Sequence, residues 1–286
     1  LLKLTGNDLK ITLNKYVDVS GYKVTKLIPE LTFYLRFAEM TAKIKKMGLP
    51  ISKAEIDMKN QRALSIKEFY SIKLALYNIE KNESIITNDM IFDNLHRQYI
   101  LTGPNRGGKT ILTQGIGLMT LFAQNGLYVP GKKAFISPVD NIYTHFPADE
   151  NSTVELGRLG EEFKRIYEIV ENATSNSLIL LNESLSTTTF YEGLYIAKDV
   201  IKAMNYLGAR VIFNTHMHDL ARQLDELNSE GKEASVVSLV MGIDGGERSF
   251  KVSIAPPTGN SYAKDIAEKY GILFEQMKDE IDKKKI

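Results

Sequence analysis

The chain has 286 residues, with 36 Lys and Arg balanced by 35 Asp and Glu, and no cysteine. That length suffices for a well-buried core and reads as one full domain plus part of another, while near-neutrality excludes a strong overall field toward nucleic acid or acidic membrane. The missing cysteines exclude disulfides, thiolate metal sites and thiol catalysis, and fit a reducing cytoplasm. Ile111 to Ala123 is the longest apolar stretch, but Thr113, Gln114 and Thr120 interrupt it and it is too short to span a bilayer, so no membrane association is expected. No secretory signal is visible, and an opening on Leu1 rather than Met is what an excised fragment would show.

Two regions follow along the chain, a helical remnant over 1–60 and an α/β domain over 61–286. In the first, apolar residues at Leu27, Leu31, Leu35, Ala38, Ala42 and Ile44 have helical spacing, and Gly48-Leu49-Pro50 stops the helix. From Ala63 onward, short apolar runs alternate with helical stretches, the pattern of a mainly parallel sheet with crossover helices. Tyr99 to Thr102 reads as a strand, Lys109 to Gln124 as the helix after it, closed by Gly126. Glu155 to Ala173 is a helix with Leu156, Leu159, Phe163, Ile166 and Ile169 on one side. Leu178 to Leu181 and Arg210 to Phe213 are buried-strand runs, with a helix from Tyr191 to Tyr206 between them. Ser235 to Met241 and Arg248 to Ile254 flank Asp244-Gly245-Gly246 as a hairpin.

The strongest chemical signal is Gly103-Pro104-Asn105-Arg106-Gly107-Gly108-Lys109-Thr110, which satisfies G-x-x-x-x-G-K-[ST] between a strand and a helix. Its glycines let backbone N–H groups close around phosphates at a helix N-terminus; Lys109 can reach the β- and γ-phosphates and Thr110 can ligate magnesium. The bland alternative is a Gly-rich structural turn. Next, Leu178-Ile179-Leu180-Leu181-Asn182-Glu183 describes a central strand ending in polar residues. Asn182 is placed to help hold magnesium and Glu183 to activate water, against the alternative of a solvated strand end. Asn214-Thr215-His216 ends another strand, where a polar residue and His216 could sense the γ-phosphate, against the alternative of a structural histidine. His218 reads as a solvated helix start, and His96 and His145 have no partners at zinc-ligand spacing.

Together these residues resemble the ATPase domain of the MutS family, from about Ala63 to Tyr270. Beyond the loop opening Thr102-Gly103-Pro104-Asn105, the resemblance rests on Tyr128-Val129-Pro130, Ile136-Ser137-Pro138-Val139-Asp140, Asn172-Ala173-Thr174, Tyr191-Glu192-Gly193, Thr215-His216 and Ser261-Tyr262-Ala263. It implies an ABC-type P-loop fold, ATP with magnesium, a homodimer that sandwiches ATP, a catalytic Glu183 and His216, and DNA contact through helical parts largely outside this chain. The departures are specific. The family's Asp-Glu is Asn182-Glu183, and its Gly-Arg-Gly after that glutamate is Leu185-Ser186-Thr187. Its trans-acting Ser-Thr falls on Gly157-Arg158, with Ser152-Thr153 five residues earlier, while Glu162 matches the family's glutamate in that helix. Gly157 and Arg158 are then the expected nucleotide-covering pair, with a solvated helix face as the alternative for Arg158. Two other readings stay open: a nucleotide-sensing clamp with little turnover, and an ABC-type ATPase of another class, against which stand the missing Gly-rich signature and the missing long coiled coil.

Overall fold

A computed structural model describes residues 2–58, 62–78, 81, 83–146, 157–229, 236–244, 247–257, 268 and 270–283, with backbone alone at 2–5, 8, 18–24, 158 and 247. Ser152-Thr153, Glu155-Leu156, Gly245-Gly246 and Ser261-Tyr262-Ala263 lie outside the described residues. The chain divides into two compact units, residues 1–49 and 50–286.

The first unit is one helix, α1 (Leu2–Lys46), 45 residues long with Pro29 inside it. Lys43, Lys45 and Lys46 fill its last turn, where cations complement the carbonyl end, and Gly48 at φ 74 stops it, as the Gly-Leu-Pro triplet predicts. Of the residues at helical spacing, Ile44 is wholly buried, whereas Leu27, Leu31 and Leu35 are 51%, 53% and 65% exposed, since a single helix has nothing in its own unit to bury them on.

The second unit opens with short strands β1 (Ile51–Lys53) and β2 (Glu55–Ile56), then β3 (Leu64–Phe69), α2 (Ile72–Asn78) and β4 (Asn88–Phe92). Next come β5 (Gln98–Thr102), α3 (Lys109–Gln124), β6 (Tyr128–Pro130), β7 (Lys133–Ile136) and β8 (Ile142–His145). The order continues with α4 (Gly157–Asn172), β9 (Leu178–Asn182), α5 (Phe190–Leu207), β10 (Arg210–Asn214), α6 (His218–Arg222) and α7 (Leu224–Leu227). The hairpin strands β11 (Val236–Asp244) and β12 (Glu247–Ile254) and then α8 (Phe274–Lys283) complete it.

Six strands form the central sheet in the order β12-β11-β5-β10-β9-β8. All pairings are parallel except β11 with β12, so the sheet is mixed and mainly parallel. Every residue of β5, β9 and β10 is buried, which is why these strands read as continuous apolar runs rather than alternating ones. A four-stranded sheet, β2-β7-β3-β4, lies over the other side of α3, and its strands are not among those expected from the sequence. Its Leu64, Ile66, Met90 and Ile136 share one core with Leu112, Ile116 and Met119 of α3 and Leu180 of β9. On the opposite face, Ile166 and Ile169 of α4 and Ala197, Ile201 and Met204 of α5 pack on Ile179, Val211 and Phe213.

Two details bring the site elements close. A Cβ on Gly117 would stand 2.7 Å from Leu180 Cδ1, so glycine there lets α3 lie tight against β9. Arg210, wholly buried, donates to the carbonyls of Ser137 (3.0 Å), Pro138 (3.2 Å) and Asn176 (3.0 Å), tying the 136–140 stretch to the turn before β9. Burial pushes its pKa down to about 10, with Asp140 opposing.

Candidate active site

The site sits where three neighbouring parallel strands end together. The register pairs Asn214 of β10 with Asn182 of β9 on one side and with Leu101 of β5 on the other, so the loop after β5 faces both asparagines.

That loop takes the shape its glycines permit. Gly103 has φ 139 and a Cβ there would stand 2.6 Å from Met241 Cβ; Gly108 has φ 95 and caps α3. Arg106 adopts φ 59, and the Gly107 N–H donates to the Pro104 carbonyl at 3.1 Å. Lys109 is 4% exposed and its Nζ donates to the carbonyls of Gly103 and Pro104, both at 3.1 Å. Burial lowers the Lys109 pKa and the Glu183 charge opposes that shift.

Thr110, one residue into α3, donates from Oγ1 to Asn182 Oδ1 at 2.9 Å. Asn214 Nδ2 donates to the same Asn182 oxygen and lies 3.4 Å from Thr110 Oγ1, closing a triangle that joins the loop to two strands. Asn214 Oδ1 is buried with no hydrogen-bond partner among the described residues. Glu183 follows β9 with φ 52, its N–H donating to the Asn214 carbonyl at 2.8 Å. Its Oε1 pairs with His216 Nε2 at 2.8 Å, both side chains being partly exposed. The structure therefore brings Lys109, Thr110, Asn182, Glu183 and His216 together, with Asn214, from the same strand end as His216, joined to them through its amide.

The other histidines take structural places. His218 begins α6 as expected but is half-buried rather than solvated: its Nδ1 is buried with no hydrogen-bond partner among the described residues, and burial lowers its pKa. His145 is 3% exposed with Nδ1 2.6 Å from Ser184 Oγ, and His96 Nδ1 lies 2.8 Å from Asp93 Oδ1. Gly157 opens α4 at φ 66 with open space where a Cβ would be; at Arg158 only the backbone is described. Leu185 carries φ 64, a left-handed conformation that costs a branched side chain about 1–2 kcal/mol.

A cavity of about 290 Å³ adjoins Arg106, Gly107 and Gly108. Its walls include Phe69, Tyr70, Leu74, Ile111 and Phe250, from five separate elements or turns, so no local sequence pattern announces it. Asn88 fixes one wall: its Nδ2 donates to the Phe250 carbonyl at 3.0 Å, and its Oδ1 accepts from Val252 N at 2.8 Å.

A family profile described as MutS domain V matches residues 99–272, more than half of the chain. The chain is 32% identical to the DNA mismatch repair protein MutS of Chlorobium phaeovibrioides, over 82% of this chain and 28% of that protein. It is 34% identical to the protein of that name from Chlorobium limicola, over 67% of this chain and 22% of the relative. With the one from Parabacteroides distasonis it shares 29% over 96% of this chain and 32% of the relative. The chain thus spans about a third or less of the length of these curated relatives.

Proposed function

The chain belongs to the MutS family, and on that premise we propose that it binds ATP with magnesium, hydrolyses it, and dimerises around it as part of a DNA repair or recombination protein. The observation that carries this reading is the meeting of Lys109, Thr110, Asn182, Glu183 and His216 at the ends of adjacent strands. Lys109 exchanges two neutral carbonyls for anionic phosphate oxygens, a gain because attraction between opposite charges is added to the hydrogen bonds. Thr110 Oγ1 would ligate a magnesium ion directly and Asn182 Oδ1, 2.9 Å from it, would help hold the ion through one of the several waters that magnesium usually keeps. Magnesium would neutralise phosphate charge there.

The Glu183 carboxylate accepts the proton of the attacking water, and His216, hydrogen-bonded to its Oε1, orients it and is the candidate to sense the γ-phosphate. The apolar cavity beside Gly107 receives the base. The α4 N-terminus, with Gly157 and Arg158, covers the triphosphate held by a second copy, in the manner of ABC-type sites. DNA contact falls to helical regions largely outside this chain, which spans about a third or less of its relatives' length. Among the described residues no helix is long and apolar enough to cross a membrane, and a cytoplasmic setting fits the cysteine-free composition.

The deciding experiment is ATP hydrolysis with and without magnesium and several DNA structures, beside Glu183→Gln. Magnesium-dependent phosphate release, lost in the variant, is expected. Tight ATP binding without release favours a second reading, a nucleotide-sensing clamp, which the neutral Asn182 at a carboxylate position supports. Absence of binding and release overturns both. Glu183→Gln should sediment as a dimer with ATP and as a smaller species without it.

A further inference from the structure

We propose that Glu162 is a positioning residue for Glu183: from inside α4, its carboxylate holds the loop 183–187 in the shape that turns Glu183 toward His216. This rests on the reading of Glu183 as the group that activates water.

The loop needs holding. Glu183 at φ 52 and Leu185 at φ 64 put two side-chain-bearing residues in the left-handed region within three positions. Such backbone persists only where its surroundings over-determine it. Two restraints come from the sheet: the Glu183 N–H donates to the Asn214 carbonyl at 2.8 Å, and Ser184 Oγ meets His145 Nδ1 at 2.6 Å. The third comes from α4. Glu162 Oε1 accepts from the Leu185 N–H at 2.6 Å, and its Oε2 accepts from Thr187 Oγ1, also at 2.6 Å.

Glu162 is only 8% exposed, so its two oxygens serve the loop rather than solvent. A buried carboxylate is costly unless hydrogen-bonded, and here both oxygens are engaged on the segment directly after Glu183. The helix that carries Glu162 opens five residues earlier on Gly157, the end proposed to cover a second copy's triphosphate. One rigid element therefore joins the covering end to the loop that aims Glu183.

A staple that only stabilises the fold makes a different prediction. Losing a staple lowers stability and leaves turnover per folded molecule unchanged. Losing a positioning residue lowers kcat and spares ATP affinity, because Lys109 and Thr110 stand on another element. The variants are Glu162→Ala, Glu162→Gln and Thr187→Val, with Glu183→Gln as control, each measured for kcat, KM, affinity for a fluorescent ATP analogue and thermal midpoint. Glu162→Ala should lose about ten- to hundredfold in kcat with affinity within about twofold. Glu162→Gln should restore most of it, since its oxygen still accepts from Leu185 and the Thr187 hydroxyl can accept from its amide. Thr187→Val should cost a few-fold in kcat, and it carries the test if Glu162→Ala does not fold. An unchanged kcat in Glu162→Ala, a loss that glutamine does not restore, or an equal loss of ATP affinity overturns the proposal, as does unchanged kcat in Thr187→Val where Glu162→Ala does not fold. If Glu183→Gln turns over like the parent, or the parent does not turn over, the reading of Glu183 fails. An impaired Glu183→Gln beside an unimpaired Glu162→Ala overturns the positioning role alone.

Discussion

Asn182→Asp changes one atom in the candidate metal site and nothing in its volume. Asn182 is 5% exposed, and its Oδ1 already accepts from Thr110 Oγ1 and Asn214 Nδ2. Both donors can stay on the new carboxylate and become charge-assisted, which offsets part of the several kcal/mol that burying an ion costs. Across one coordinated water, at about 4 Å and an effective dielectric of about 20, a carboxylate and a dication attract by roughly 8 kcal/mol gross. After desolvation a net gain of about 2 kcal/mol is reasonable, or roughly thirtyfold in the magnesium concentration for half-maximal effect. Without magnesium the sign reverses, and the variant should melt below the parent because the charge is buried with no cation. The assay is a magnesium titration of ATP-analogue binding and of phosphate release, with thermal melts in chelator. Superimposable titrations would refute the reasoning, since they would place Asn182 away from the metal.

Lys109→Ala should weaken ATP-analogue binding by about ten- to hundredfold, with a melt close to the parent's, because it removes a charge-assisted contact from a loop that glycines shape. Equal affinity would contradict the assignment. Gly193→Ala would place a Cβ 2.6 Å from the Leu185 carbonyl oxygen, a backbone atom that cannot swing aside. It should cost about 1–3 kcal/mol in chemical denaturation, and a neutral result would show that α5 and the loop slide freely. His145 has its pKa lowered by burial first and the Arg165 charge second, with Glu162 opposing, so the folded state disfavours its cation. Its contribution to stability is complete above the unfolded histidine value of about 6.5 and declines as pH falls toward the lower folded value. The thermal midpoint should therefore drop between pH 7.5 and 5.5, and drop less in His145→Gln; equal drops in both proteins would refute this.

What the sequence determined by itself is what local chemistry encodes. A Gly-x-x-x-x-Gly-Lys-Thr run between an apolar strand and a helix names its own conformation, and the helix over Lys109–Gln124 is found at the expected bounds. The runs ending at Asn182 and Asn214 read as buried strands because both faces of a parallel sheet are covered. Strands of two or three residues, such as β1, β2 and β6, contain too few positions to show a period, although Leu64-Ser65-Ile66-Lys67 of β3 does alternate apolar with polar. Strand order was silent. Placing β10 between β5 and β9 is what sets the Asn214 amide beside Thr110 and Asn182, partners 104 and 32 residues away. Glu162 shows the same limit, since a glutamate on an amphipathic helix reads as solvated until the packing of α4 encloses it. At α1 the helix and its stop were legible, but helical spacing records only which residues share a face, whereas burial depends on an element that covers it, so Leu27, Leu31 and Leu35 stay exposed.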